Sequence, residues 1–311
     1  MKFLILGAGA LGGYYGGMLI KGGADVTFLL RPKTAAKLDK FGLKLRLKNG
    51  DFQPPIKIIT PDMQKNQYDI IFLTCKAYDV KGAINSIAPS VGPKTAVLPI
   101  LNGINHIDML AERFGAHSIL GGVTQFLVNQ ADDGTILPTL HGSGGQKTLF
   151  GEMLSGTSQR CASILDEMKK TMPDTAISDN ILKKLWAKIS GAGASFAVAS
   201  LLHARAGKVA AAPAGHNVVA GIFDECAAIC LAEGYPPPDG MRNVLLNDLW
   251  GKINSDYGPS LLADIENGQP TEGEHVIGDL VRRAKKFKLK TPLLEASLCR
   301  IQIYERGLQE R

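Results

Sequence analysis

The chain opens on a short apolar run, Lys2-Phe3-Leu4-Ile5-Leu6, which passes directly into Gly7-Ala8-Gly9-Ala10-Leu11-Gly12. A run without polar alternation suits a parallel strand buried on both faces. Residues 11–21 then carry a helical pattern, and 25–30 read as a second strand. Strand, glycine turn, helix and strand within about 30 residues make a βαβ unit. In that context the G-x-G-x-x-G spacing has a physical logic. Gly7 allows the tight turn, Gly9 lets a pyrophosphate approach the backbone with no Cβ in the way, and Gly12 lets helix and strand pack closely. The free N–H groups of the helix N-terminus face the same anion. Residues Gly7, Ala8, Gly9, Ala10, Leu11 and Gly12 are therefore predicted to hold a dinucleotide.

The end of the second strand discriminates between two dinucleotides. An NAD site usually has a carboxylate there for the ribose 2′-hydroxyl. Here the residues are Leu29-Leu30-Arg31-Pro32-Lys33. The guanidinium of Arg31 can fork onto a 2′-phosphate, so the sequence predicts NADPH/NADP+. Lys33 adds charge, although it also reads as an ordinary surface lysine.

The alternation continues, with strands predicted at 43–47, 56–59, 68–74 and 96–100 and helices at 80–88 and 107–113. Later strands are expected at 119–129, 135–141 and 147–151, with a glycine-rich turn at 142–145. From about residue 157 helical periodicity takes over: Ile181, Leu185 and Ile189 recur every four residues. Further helices are predicted at 213–233, 240–252, 273–288 and 292–306. The fold class is α/β: a Rossmann-type doubly wound sheet followed by an all-helical C-terminal domain. The boundary is placed between an NADP-binding domain at 1–178 and a helical substrate-binding domain at 179–311, where Asp179 suits an N-cap. The 311 residues suffice for two such cores.

Net charge is +6 and the isoelectric point about 9.0, which raises nucleic acid as a partner. Aromatic residues are only 6%. The densest basic run, Arg282-Arg283-Ala284-Lys285-Lys286, falls in a helical pattern and reads as a solvated face. A nucleic-acid partner is not expected, and a modest positive balance also suits an anionic cofactor and substrate. Cys75, Cys161, Cys226, Cys230 and Cys299 are scattered. Cys226 and Cys230 lie four apart on a predicted helix, but no second pair or histidine cluster suggests a metal, and no disulfide framework is visible. With neither a leader pattern nor a run of 18 apolar residues, a cytoplasmic protein without a membrane partner is expected. The apolar helical faces of the second half suit either a homodimer interface or core packing.

Several further clusters stand out. Thr74-Cys75-Lys76-Ala77 ends a predicted strand and Asn102-Gly103 follows another, where open parallel sheets bind ligands. Leu185-Trp186-Ala187-Lys188, Ser260-Leu261-Leu262-Ala263-Asp264 and Pro270-Thr271-Glu272 lie downstream. On these residues and the glycine fingerprint, the chain resembles the ketopantoate reductase (2-dehydropantoate 2-reductase) family nearly end to end. The resemblance implies NADPH-dependent reduction of 2-dehydropantoate to D-pantoate, towards pantothenate and coenzyme A. It implies that Lys188 is the general acid at the keto oxygen and that Glu272 holds the substrate hydroxyl or orients the lysine. By the same resemblance Ser260 binds the substrate carboxylate, and Lys76 and Asn102 serve both cofactor and substrate. Asp264 reads equally as a member of this site and as a helix-surface or capping residue.

One departure bears on the substrate. Family members that reduce ketopantoate usually carry substrate-binding asparagines four and eight residues after the lysine; here those positions are Ala192 and Phe196. Ser190 and Ser195 are the nearest polar candidates to replace them. Losing a buried polar partner typically costs about 1–3 kcal/mol, so a different 2-oxo acid is a second reading. A non-catalytic NADP-binding regulator is a third, against which the joint presence of Lys188 and Glu272 argues. A hinge is expected near residue 178, with cofactor binding first because it forms one wall of the substrate pocket. Substrate should then bind tightly only when NADPH is present, which binding measured with and without NADPH checks.

Overall fold

The computed structural model describes residues 1–64, 66–139, 147–154 and 156–310. It divides into two compact units, one of Met1–Leu101 with His106–Lys184 and one of Asn102–Asn105 with Leu185–Arg311. The predicted glycine-rich turn at 142–145 lies outside the described residues.

The first unit opens as the sequence predicts, with β1 (Lys2–Leu6), α1 (Ala10–Lys21) and β2 (Asp25–Leu29). Next come α2 (Pro32–Phe41), β3 (Leu45–Leu47), β4 (Gly50–Phe52), β5 (Lys57–Ile59), β6 (Ile70–Leu73), α3 (Val80–Ile87) and β7 (Ala96–Pro99). A five-stranded parallel sheet runs in the order β5-β2-β1-β6-β7, the Rossmann-type arrangement. Phe3, Leu4 and Ile5 are all fully buried, as an apolar strand covered on both faces must be. The register sets Leu6 opposite Leu29 on one side and Leu73 on the other. Three strand ends are therefore level, and the segments after them emerge along one edge. Helix α2 is a finding of the structure: Pro32 occupies its first turn, where a missing N–H loses no helical bond.

The unit continues through α4 (Asn105–Phe114), β8 (Leu120–Thr124), β9 (Leu127–Gln130), β10 (Ile136–Thr139), β11 (Thr148–Glu152), α5 (Gln159–Lys169) and β12 (Thr175–Ile177). These build two smaller sheets, β4-β3-β10-β9 and β12-β11-β8. The single strand predicted at 119–129 is thus two strands in different sheets. The break has a cause: Phe126 is buried, with its ring 5.2 Å from that of Tyr14 and edge-on to it.

The second unit is helical, as expected: α6 (Ile181–Leu202, from Leu185 onward), α7 (Ala206–Ala211), α8 (Gly215–Ala232), α9 (Met241–Asn243), α10 (Ser260–Glu266), α11 (Gly273–Lys286) and α12 (Pro292–Gln309). The α-helix predicted at 240–252 instead widens into a π-helix at Val244–Leu249. Immediately after it Trp250 is buried and donates its indole N–H to Ser195 Oγ at 3.1 Å. Helices α6 and α8 are long and apolar enough to cross a bilayer by length and composition. In α6, however, 67% of the apolar window is buried within the fold, as in the core helix of a folded domain.

The start of α6 in this unit is clamped. Trp186 stacks on Tyr235, with ring centroids 6.1 Å apart and planes 8° off parallel, while the Arg283 guanidinium lies 5.2 Å from the Trp186 ring. Arg283 is held by Asp279 at 2.8 Å and Glu233 at 2.9 Å. A cation over an indole face with both anions partly desolvated is a strong anchor for a helix turn.

Two glycines of the first turn should respond oppositely to substitution. A methyl group at Gly12 would overlap the Gly7 carbonyl oxygen, whereas one at Gly9 meets nothing within 4 Å. Gly12→Ala is expected to lose about 1–3 kcal/mol of stability, the usual range for overpacking, and Gly9→Ala close to none. Denaturant unfolding of the two variants checks this.

Candidate active site

In the first unit the glycine turn forms an empty-sided cradle. Gly7 takes φ +90°, the left-handed region that favours glycine, and its N–H bonds to Leu29 O at 3.1 Å. Thr74 donates its hydroxyl to Leu6 O at 2.9 Å and packs against Gly12. Gly9 caps α1 without a side chain, and no acidic residue sits in the helix's first turn. Open space at Gly9 and a positive helix end suit the phosphates of a dinucleotide. Ala8 is buried, while Ala10 and Leu11 are half-buried beside it. Arg31 extends from the segment after β2 and pairs with Asp79 at 2.8 Å. Lys76, half-buried, follows β6 at the same edge of the sheet.

In the second unit Asn102 donates from Nδ2 to Glu272 Oε2 at 2.9 Å. The Glu272 carboxylate is 5% exposed and stands at the N-cap of α11, where the helix end favours negative charge. The segment before it is tied down, because Thr271 donates both its N–H and its hydroxyl to Glu305 Oε1 at 2.7 Å. Lys188, on α6, is crowded by protein. Loss of hydration brings its ammonium down from 10.5 to about 8, with the Glu272 charge pulling the other way.

The structure thus brings Asn102 and Glu272 into contact and couples Lys188 to Glu272. Ser260 is exposed at the first turn of α10, and its side chain makes no hydrogen bond among the described residues; Asp264 is half-buried on the same helix. Both serines near Lys188 are buried and turned to partners inside the fold. Ser190 donates to Ala187 O at 2.9 Å, and Ser195 accepts from Trp250 and from the Tyr257 hydroxyl at 3.4 Å. Ala192 is half-buried and Phe196 buried. Among the described residues the five cysteines form no disulfide, and no three metal-ligating side chains gather.

Sequence reasoning missed His275. It lies three residues after Glu272 on α11 and is buried, with its ring 3.0 Å from where a Cβ on Gly103 would stand. Burial pushes its pKa down, against the opposing charges of Glu272 and Asp279. Its one sequence signal is the i,i+3 spacing from Glu272 on a helix. Asp79 was also missed, since its link to Arg31 spans 48 residues of chain.

The class defined by this sheet, glycine turn and lysine–glutamate pair is that of the nucleotide-dependent oxidoreductases. The model of the family Ketopantoate reductase PanE/ApbA matches residues 3–155, and that of its C-terminal domain matches 180–305. An uncharacterized oxidoreductase of Bacillus subtilis (strain 168) is 31% identical over 98% of this chain and 99% of its own. The crystal structure of 2-dehydropantoate 2-reductase from Methylococcus capsulatus superposes with a TM-score of 0.86 at 22% identity, covering 100% of this chain and 99% of that one. A ternary structure of D-mandelate dehydrogenase with NADH and anilino(oxo)acetate superposes at 0.84, also with 22% identity, covering 99% of this chain and 100% of that one. The chain belongs to the ketopantoate reductase family and is an oxidoreductase of that family.

The electrostatics predict a pH profile. With Lys188 in the general-acid role that the resemblance implies, its ammonium form is the active one, and reductive turnover should fall as pH rises through about 8. Glu272→Gln removes the charge that raises the lysine pKa, and the basic limb should move to lower pH. Stability follows the same group with its own sign. The folded pKa lies below the unfolded 10.5, so the buried charge destabilises the fold below about 8, and that penalty fades between about 8 and 10.5. Lys188→Met should therefore raise the thermal midpoint at neutral pH, with the gain shrinking over that interval.

Proposed function

We propose that this chain reduces 2-dehydropantoate (ketopantoate) to D-pantoate with NADPH, the step that feeds pantothenate and coenzyme A synthesis. The observation that carries the reading is the Lys188–Glu272–Asn102 arrangement. It sets a buried carboxylate, oriented by an amide, beside an amine that is protonated at neutral pH yet acidic enough to give its proton away. The open Gly9 cradle and the Arg31 guanidinium are the features suited to the pyrophosphate and 2′-phosphate of the cofactor. Bound there, the reduced nicotinamide supplies the hydride to the keto carbon.

As that carbon becomes tetrahedral, negative charge gathers on its oxygen, and Lys188 donates a proton to it. The carbonyl becomes a secondary alcohol, and the lysine is left as a neutral amine that regains a proton from solvent. A cation at the developing alkoxide lowers the barrier before the proton moves. Glu272 favours the charged form of Lys188 and is assigned the substrate hydroxyl. Asn102 keeps the carboxylate in one orientation. Ser260 and Lys76 are assigned to the anionic groups of substrate and cofactor. The enzyme is placed in the cytoplasm, acting on a small 2-oxo acid.

A specific observation favours a second reading, in which the substrate is a more apolar 2-oxo acid. The side chains of Ala192 and Phe196 offer no hydrogen bonds, and Ser190 and Ser195 are buried with their hydroxyls turned to partners inside the fold. Reduction of an aromatic 2-oxo acid is what the mandelate dehydrogenase neighbour's name suggests for that protein.

The test is loss of reduced-nicotinamide absorbance with ketopantoate and a panel of other 2-oxo acids, for wild type and Lys188→Ala. Ketopantoate is expected to have the highest kcat/KM, and Lys188→Ala to lose about 10²–10⁴-fold, the usual contribution of a general acid. Preference for an apolar acid establishes the second reading. NADPH binding with no turnover of any acid overturns both and leaves a non-catalytic NADP-binding regulator.

A further inference from the structure

The ion pair between Arg31 and Asp79 lies where the cofactor reading puts the adenosine end. Arg31 follows β2 and Asp79 follows β6, while β1 runs between those two strands. Adjacent strands are about 4.8 Å apart, so the pair reaches across the end of β1 and over the glycine turn. The contact is Arg31 Nη2 to Asp79 Oδ1, with the arginine side chain 75% exposed and the aspartate 35% exposed. Exposed pairs of this kind add little to folding.

The aspartate's own position makes the pairing informative. Asp79 ends a 3-10 turn, Ala77–Asp79, that runs directly into α3, and its side chain makes no capping bond to that helix. Its carboxylate is turned to Arg31 instead. The guanidinium has five N–H donors, so one contact to Asp79 leaves donors free for a further anion. A doubly charged 2′-phosphate brought to those donors meets the Asp79 charge at close range. A ribose 2′-hydroxyl meets an acceptor.

We propose that Asp79 is a specificity-determining residue for the cofactor: its carboxylate weakens the 2′-phosphate preference that Arg31 confers and accepts the 2′-hydroxyl of NADH, so that the chain uses NADH as well as NADPH. This rests on the reading that the glycine turn holds a nicotinamide dinucleotide. Asp79 supplies the carboxylate that is missing after β2, and supplies it from the other side of β1. A search of the sequence after β2 alone would therefore misjudge the selectivity.

The test is equilibrium titration of the full-length protein with NADPH and with NADH, for wild type, Asp79→Asn, Asp79→Glu and Arg31→Ala. Wild type should bind both. Asp79→Asn should tighten NADPH by about three- to tenfold, the scale of one solvent-exposed charge interaction, and weaken NADH, while Asp79→Glu keeps the wild-type ratio. Arg31→Ala should move the ratio towards NADH. Thermal unfolding of Asp79→Asn should match wild type, because the pair is exposed and forms no cap. A ratio of the two affinities that Asp79→Asn leaves unchanged overturns the proposal while the cofactor reading stands. Wild-type protein that binds neither nucleotide overturns the cofactor reading, and this proposal with it.

Discussion

Helix α1 lies so close to the end of β1 that Gly12 has no room for a methyl group against the Gly7 carbonyl and the Thr74 hydroxyl. Much of the first unit depends on that approach. It holds the N-terminus of α1 at the end of β1, level with the ends of β2 and β6. The Thr74 bond to Leu6 O ties β6 into the same corner. Because hydrogen-bonded register makes the three ends coincide, segments far apart in sequence emerge side by side. Arg31, Lys76 and Asp79 owe their common edge to this.

The second unit solves a different problem, that of keeping a charged amine where water is scarce. Desolvation alone would drive Lys188 towards neutrality, and a neutral amine cannot protonate an alkoxide. Glu272 opposes the shift and leaves a pKa of about 8. The carboxylate is itself costly to bury; the Asn102 amide donates to it, and it stands at the N-terminus of α11, where the helix dipole favours negative charge. The Trp186, Tyr235 and Arg283 clamp lies half a turn before the lysine, so the helix that carries it has little freedom. Rigidity here comes from stacking and paired charge, while the acidity comes from the balance between burial and one neighbour.

The same helix carries the departure from the family pattern noted in the sequence. Lys188 retains its acidic neighbour, but the two positions one and two turns later present a methyl group and a phenyl ring. Ser195, one of the two candidates to compensate, is drawn into the packing of Trp250 and Tyr257. The π-helical widening before Trp250 belongs to that arrangement.

Much of this protein was determined by local sequence. A βαβ opening, a glycine turn of fixed spacing and a switch to four-residue periodicity are short-range patterns, and backbone sterics with apolar burial turn each into one kind of structure. The Rossmann-type sheet, its glycine turn and the helical second unit were legible for that reason, whereas Lys188 and Glu272 stood out only by resemblance to a family. Other features were decided only by tertiary structure. The split of 119–129 depends on Phe126 finding Tyr14, and β12 and β4 are three-residue strands that carry no periodic signal of their own. The Asp79 pairing, the burial of His275 under Gly103 and the engagement of Ser195 each join residues that are distant in sequence. A side chain's partners, and with them its charge state and its availability, follow from through-space distance and desolvation. No local pattern encodes those quantities.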